Sequence, residues 1–369
     1  MSKHSEPIVL DGAAGEGGGQ ILRTGLALSA ITGAPIEIAN IRARRSKPGL
    51  AAQHLTGVRA VAAACDGRLE GDVMGSSRVA LTPGRIRAGE YELDVAAERP
   101  SAGSVTLVMQ ALLPVLALAD GPSKVRLKGG THVEWSPSFH YLDRVLRPAL
   151  AALGVHFHPR LRAWGWYPRG GGMIEAEVAG RTVVNKIDWT GMGPLQSTSG
   201  LSVASDLPRH IAERQASAAR EILATELPPL PIDIAEETVE GAGQGSFCFL
   251  QAVYGSGCAG ESGDGVSPSP PCGFSALGRR GKRAEAVGRE AAEALLSHHR
   301  STAVVERHLA DQILPYVALA SGISRFTTPQ ISSHLRTNAW VCEKLLDIRV
   351  SLHEDLPCTV EVHGAGWQG

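Results

Sequence analysis

One pattern recurs three times along this chain and limits its possible architectures more than any other feature. A helix of small and apolar residues runs up to a glycine and is followed by a strand-like run. The copies are Leu22–Thr32 with Gly33 and Ile36–Ile41, then Val105–Ala119 with Gly121 and Lys124–Leu127, then Gln312–Ala320 with Gly322 and Ile323–Thr327. A glycine just past a helix suits the left-handed C-cap that other residues adopt at a cost. A second helical pattern follows each strand, over His54–Ala64, Phe139–Leu153 and His334–Leu346, with apolar residues at helical spacing such as Leu142, Val145, Leu146 and Leu150. Further strand-like runs, Val79–Leu81 and Ile174–Val178 among them, follow the first two copies. Each copy reads as β-α-β-α-β-β, a unit that needs stacked neighbours to bury its apolar face. The expected fold class is therefore α/β (α+β), with three repeated βαβαββ units forming a large domain.

The spacing of the copies is uneven. Gly33 and Gly121 lie 88 residues apart, whereas Gly121 and Gly322 lie 201 apart. The excess is about the length of a small domain. An inserted α/β domain is therefore expected over 181–275, with 1–180 and 276–369 making up the large domain. The insert holds an amphipathic helix, His210–Leu223, and a proline-rich turn, Pro228–Pro231. It ends in a Gly/Ser/Pro loop, Gly255–Gly273, expected to be mobile. A helical signal at Ala284–Leu296 is expected to return the chain to the third unit.

Composition excludes several classes of function. With a formal net charge of −1 the chain has no global field to hold a polyanion, so any nucleotide or nucleic-acid site is a local patch. The longest apolar stretch, Val105–Ala119, is interrupted by Gln110 and Pro114 and falls short of the ~20 residues of a membrane span. Met1–Pro7 is polar and does not read as a secretory leader. Six scattered cysteines without a C-x-x-C pair suggest free thiols in a reducing compartment, and a cytoplasmic protein is expected.

Two segments could hold phosphate. Gly12–Gln20 is a glycine-rich turn between a strand and a helix, where backbone N–H groups favour anions. It matches neither a Walker A loop nor G-x-G-x-x-G, so it reads equally well as a tight structural turn. Glu16 within it is either a Mg²⁺ or Mn²⁺ ligand or a solvated acid. Arg42, Arg44, Arg45 and Lys47 form a cationic run that suits bidentate phosphate contacts or a solvated loop. Arg23 shares a helix face with Gln20 at i, i+3. His54 and His334 each open a second helix, where a neutral imidazole could be a nucleophile, a base or a structural group. His156 and His158 make no metal signature, and no G-x-S-x-G elbow is present.

Together these segments resemble the RNA 3′-terminal phosphate cyclase family. The resemblance rests on Asp11–Arg23, Ile41–Leu50, Gln53-His54-Leu55, Ser101-Ala102-Gly103-Ser104 and Gly129-Gly130-Thr131. It continues through Tyr167-Pro168-Arg169-Gly170-Gly171-Gly172, Leu309-Ala310-Asp311-Gln312 and His334-Leu335-Arg336-Thr337-Asn338. It is collinear and thins in the insert. It implies an ATP-dependent enzyme that converts an RNA 3′-phosphate to a 2′,3′-cyclic phosphate through a covalent histidine–AMP and an RNA-adenylate. The implied nucleophile is His334 and the implied metal ligand, for Mg²⁺ or Mn²⁺, is Glu16. Arg23, Arg42, Gln53 and His54 would make phosphate or catalytic contacts, Gln20, Asp311 and Gln312 would line the nucleotide site, and Pro137 would lie near the adenine. The chain departs from the pattern at His308, where tyrosine is typical, at His132-Val133-Glu134-Trp135, and at Arg44, where glycine is common. Competing readings are a catalytically inactive cyclase-like ribosome-assembly factor, which would lack the nucleophile, and an enolpyruvyl transferase of related repeat fold.

Overall fold

A computed structural model describes residues 6–256 and 269–367 of the chain. The first unit runs β1 (Ile8–Asp11), α1 (Gln20–Thr32), β2 (Ile36–Ala39), α2 (Ala52–Ala64), β3 (Arg68–Glu70) and β4 (Val79–Thr82). The second runs β5 (Glu90–Asp94), α3 (Val105–Ala117), β6 (Ser123–Gly129), α4 (Phe139–Tyr141), a π-turn (Leu142–Leu146), α5 (Arg147–Ala152), β7 (Phe157–Ala163) and β8 (Gly172–Val178). The third opens with β9 (Asp188–Trp189) and is then interrupted by β10 (Met192–Ser205), α6 (His210–Glu226), β11 (Ile232–Val239), β12 (Gly245–Ser256), β13 (Cys272–Leu277) and α7 (Ala284–Ser301). It resumes with α8 (Arg307–Val317), β14 (Ser321–Thr328), α9 (Ser333–Leu346), β15 (Arg349–His353) and β16 (Cys358–Ala365).

The three units have one topology. Their sheets run β1-β2-β4-β3, β5-β6-β8-β7 and β9-β14-β16-β15. In each, the first two strands are parallel and the remaining pairings antiparallel. Strand β6 shows why one face of such a sheet is covered. Ser123, Val125 and Leu127 are buried while Lys124, Arg126 and Lys128 face solvent, the two-residue period of a half-buried strand. The outer face is laced with ion pairs, including Arg126–Glu175 and Lys128–Glu92. On the inner side the helices of different units pack together: α1 touches α2, α3 and α9, and α8 touches α9.

The glycine signal marks a helix end only at Gly33, whose left-handed backbone (φ 71°) caps α1. Helix α3 closes at Leu118 and α8 at Ala318, both right-handed, while Gly322 lies inside β14. The helix expected over Phe139–Leu153 carries a π-turn with an identifiable cause. Pro148 has no N–H to give to the carbonyl of Arg144 four residues back. That carbonyl accepts instead from Gln251 Nε2 of β12 at 2.7 Å.

The interruption lies between β9 and α8, later at both ends than 181–275. Strand β9 already pairs with β14 of the third unit. Helix α7, expected to return the chain to that unit, packs on α6, so closely that a Cβ on Gly288 would sit 2.0 Å from the Gln215 carbonyl. Alternation along β12 joins the layers: Phe247 and Phe249 enter the main core, while Cys248, Leu250 and Ala252 enter a second core with Leu223, Val287 and Leu295. Most of the Gly255–Gly273 loop lies outside the described residues. Among the described residues five cysteines are free and buried, and no helix is long and apolar enough to cross a membrane.

The first and third units are clasped by polar side chains. Thr24 Oγ1 donates to Asn338 Oδ1 at 2.7 Å, and Asn338 Nδ2 donates to the carbonyl of Asp311 at 2.7 Å. Gly15 presses on the same helix: its φ is +56°, and a Cβ there would lie 2.2 Å from Thr337 Oγ1. Gly33 has a similar φ but nothing within 4 Å. Gly33→Ala should therefore cost only the left-handed strain, about 1–2 kcal/mol. Gly15→Ala should cost that and roughly 1–3 kcal/mol more for the steric conflict. Denaturant unfolding of both variants checks this, and equal losses would mean that the turn does not bear on α9.

Candidate active site

The turn between β1 and α1 is held at its base. Asp11 Oδ1 accepts from the Ala13 N–H at 3.0 Å and from Asn40 Nδ2 at 3.1 Å, and these bonds hold its carboxyl below the usual range. Glu16 then turns inward, its side chain only 6% exposed. Its Oε2 accepts from Arg45 at 2.7 Å. Its Oε1 is buried with no hydrogen-bond partner and lies 3.8 Å from His334 Nδ1. An orphaned carboxylate oxygen in a buried turn is costly unless something cationic meets it.

His334 stands in the first turn of α9, behind Ser332, whose hydroxyl accepts from the Leu335 N–H at 3.1 Å. Its side chain is 46% exposed. Burial lowers its pKa below the usual 6.5, Glu16 opposes that shift, and Arg23, His308 and Arg45 reinforce it. The ring is therefore neutral at neutral pH. His54 occupies the matching place in the first unit and is built differently. Its Nδ1 accepts from the Ala51 N–H at 3.3 Å, which puts the proton on Nε2. Burial, then Arg42, Arg23 and Arg45, push its pKa down to about 3. Gly19 has to be bare here, because a Cβ would fall 2.6 Å from His54 Nε2 and 3.0 Å from the Arg23 guanidinium.

Arg23 occupies the middle of the site. It donates to Gln20 Oε1, as their i, i+3 spacing predicts, and its Nε is buried without a partner. Burial depresses its pKa, and Asp311 and Glu16 oppose the shift without cancelling it. It lines two neighbouring cavities. One also has Gln53, His54 and Ala111 in its wall and the other Gln20, Gln110, Asp311 and Gln312; with about 10 and 20 Å³ of free space, each is a narrow crevice. Gln53 Oε1 accepts from the Ser104 N–H at 2.8 Å at the start of α3. Gln110 Nε2 donates to Gln312 Oε1 at 2.6 Å. Arg42, with φ 53°, gives one N–H to the Gly49 carbonyl at 2.8 Å. Pro137 is one step removed: its carbonyl accepts from Thr106 Oγ1 at 2.7 Å.

These contacts gather the N-termini of α1, α2, α3, α8 and α9 around one turn. Each helix start carries the positive end of a dipole, with N–H groups of α3, α8 and α9 taken by their own capping side chains, and three arginines add charge. The arrangement suits a multiply charged anion. Residues without an assigned part in the sequence reading complete it. Glu306 caps α8 by accepting from the His308 N–H at 2.8 Å and also accepts from the Tyr141 hydroxyl. Its place just before a helical run is the one signal that marked it. Thr24, Thr337 and Asn338 form the clasp, which only the fold makes visible.

A family model described as RNA 3′-terminal phosphate cyclase matches residues 14–352. The chain belongs to the RNA 3′-terminal phosphate cyclase family. A protein of that name from Methylococcus capsulatus is 47% identical over 361 residues, covering 96% of each chain. One from Methanopyrus kandleri is 42% identical over 97% of this chain and 99% of its own. One from Trichormus variabilis is 44% identical over 91% and 93%. The members match this chain nearly end to end, so the cyclase family's frame includes the interrupting segment.

The buried acids of this cyclase-family site give a pH signature. Burial, then Glu306, raises the pKa of Asp311 from 3.8 to about 8, and burial raises that of Glu306 from 4.5 to about 7. The folded state thus holds protons that the unfolded chain has lost, so stability falls as pH rises between about 4 and 8 and levels off above that window. Asp311→Asn should flatten this slope in thermal denaturation across that range. A slope identical to the parent's would mean that Asp311 is ionised throughout.

Proposed function

We propose that the chain uses ATP to convert an RNA 3′-terminal phosphate to a 2′,3′-cyclic phosphate, with His334 as nucleophile. The observation that carries this reading is a neutral, half-exposed imidazole at a helix start, its Nδ1 turned to Glu16 and arginines on its flanks. With Nδ1 on the Glu16 side, Nε2 is the attacking atom. Its lone pair forms a bond to the α-phosphorus of ATP, the bond from that phosphorus to the bridging oxygen breaks, and pyrophosphate leaves. The ring becomes cationic as the P–N bond forms, and the nearby carboxylate stabilises that charge. An oxygen of the RNA 3′-phosphate then displaces His334 and carries off AMP in a phosphoanhydride. The neighbouring 2′-hydroxyl loses its proton and attacks the 3′-phosphorus, releasing AMP and closing the ring. One difficult condensation is thereby divided into easier transfers.

The family resemblance and the positions around the turn support parts for the other residues. Arg23 and Arg42 would hold phosphate oxygens, Gln53 and His54 would fix the geometry at the starts of α2 and α3, and Gln20, Asp311 and Gln312 would line the nucleotide cavity, with Pro137 beside the adenine. His54, neutral with its proton on Nε2, can donate a hydrogen bond but not a charge. Among the described residues no group of three or more His, Cys, Asp or Glu could hold a metal alone. The orphaned Oε1 of Glu16 fits a Mg²⁺ or Mn²⁺ that takes its other ligands from water and phosphate oxygens. Such an ion would neutralise charge on the phosphates during transfer. The lone free thiols and the site's chemistry suit a cytoplasmic enzyme.

Two outcomes test the reading. Incubation with ATP and metal should leave one AMP on the protein, acid-labile as a phosphoramidate is, and His334→Ala should abolish it while His54→Ala retains part of it. Because the His334 pKa lies below 6.5, adduct formation should hold down to that pH and fade only as acid protonates the ring. Intact-mass measurement decides, and an adduct persisting in His334→Ala overturns the assignment. Glu16→Ala should slow adduct formation by roughly 10²–10³-fold, since a Lewis-acid contact supplies several kcal/mol. Parental rates at saturating metal would remove Glu16 from that role.

A further inference from the structure

Among the described residues only two aromatic side chains are exposed, Trp135 at 96% and Tyr167 at 77%. They stand on adjacent loops. The N–H groups of Thr131 and His132 donate to the Gly165 carbonyl at 3.0 and 3.1 Å, and His132 pairs with Trp166. The turn bearing Tyr167 is closed by the Gly170 N–H on the Trp166 carbonyl at 2.7 Å. That turn lies on Ser101 and Ala102, where a Cβ on Gly170 would meet the Ser101 carbonyl at 2.8 Å. Two residues on, the Ser104 N–H is held by Gln53 of the candidate active site. The loops bearing both rings are thus tied to the candidate site through Ser101–Ser104 and Gln53.

Trp135 is also strained. Its φ of 62° is left-handed, a conformation that a bulky residue adopts at a cost of about 1–3 kcal/mol. Packing does not hold it there, because the ring is in solvent. The turn is fixed instead from either side, by Ser136 Oγ on the Val133 carbonyl at 2.9 Å and by Thr106 on Pro137. Arg169 follows Tyr167 by two positions and Arg99 precedes Ser101 by two; both are exposed and, among the described residues, have no ion-pair partner. Other exposed arginines are neutralised, as at Arg78–Glu37 and Arg214–Glu285, or unpaired among the described residues, as Arg160 and Arg289 are, so Arg99 and Arg169 are set apart by their place in the chain beside Ser101 and Tyr167.

Exposed rings interleaved with free arginines fit a polyanion that carries planar groups. Building on the proposed function, we infer that Trp135 and Tyr167 are the platform on which unpaired bases at the 3′ end of the RNA stack, with Arg99 and Arg169 on the backbone phosphates. Stacking accepts any base, because every base has a π-face, so the platform grips RNA ends without reading their sequence.

The two half-reactions separate this inference from the reading beneath it. Trp135→Ala, Tyr167→Ala and the double variant should form the AMP adduct from ATP alone at the parental rate, since that step needs no RNA. Their Kd for a fluorescent RNA oligonucleotide ending in 3′-phosphate should rise by roughly 5- to 100-fold per ring removed. Tyr167→Phe should bind as the parent does, because stacking uses the ring and not the hydroxyl. An oligonucleotide abasic in its last nucleotides should bind the parent weakly and the double variant no more weakly still. Parental RNA affinity in the double variant overturns the inference, as does a further loss on the abasic RNA. Failure of Trp135→Ala to take AMP would assign that ring to the nucleotide and overturn its part here. A parent chain that forms no adduct overturns the proposed function, and this inference with it.

Discussion

The contact on which the rest depends is the one between the glycine turn and helix α9. The Glu16 N–H reaches Thr337 Oγ1 across 321 positions of sequence, and Gly15 is bare so that the turn can close on the Thr337 side chain. Thr24, Asn338 and Asp311 continue the clasp along α1 into α8. Once α1 is fixed to α9 in this register, Glu16 faces His334 and Arg23 faces Asp311. Nothing local to either segment would bring these groups together. The site is a product of how the units stack.

That stacking also determines the electrostatics. Helix starts converge, so the centre is positive before any side chain is counted. Arg23 is desolvated there, and Glu16 offsets part of the cost. The acids respond in opposite ways to their surroundings: Asp311, buried beside Glu306, retains its proton into neutral pH, while Asp11, at the rim and hydrogen-bonded, gives its proton up easily. The two histidines at equivalent helix starts diverge for the same reason. His54 is buried, with three arginines adding to the effect, and its pKa falls to about 3, whereas His334 is half-exposed and has Glu16 to moderate the shift.

Much of this was legible in the sequence. Periodicity gave the three units, because each helix and strand carries its apolar residues at its own period. Short glycine-rich and helix-opening segments fix local geometry strongly, so the turn at Gly12–Gln20 and the helix starts at His54 and His334 could be read from the sequence. Other features were beyond reach. Gly121 and Gly322 look like caps, but α3 and α8 each contain a proline and close on right-handed residues. The interruption was displaced because β9 is two residues long and carries no pattern, and because an amphipathic helix such as α7 does not say which layer its apolar face meets. The Tyr141–Glu306 pair joins two units, and pairings between distant segments leave no periodic trace.

The place of the interruption has a consequence for how the protein is made. It separates β9 from α8, so the third unit has its first strand long before it has the helices that complete it. During synthesis, the turn that holds Glu16 emerges early and α9 emerges last among the helices, with the interrupting layer formed in between. The apolar face of α1 that packs on α9 has no partner during that interval. A chain whose synthesis stops anywhere before α9 therefore carries the turn of Glu16 and the start of α1 without the helix that packs on both.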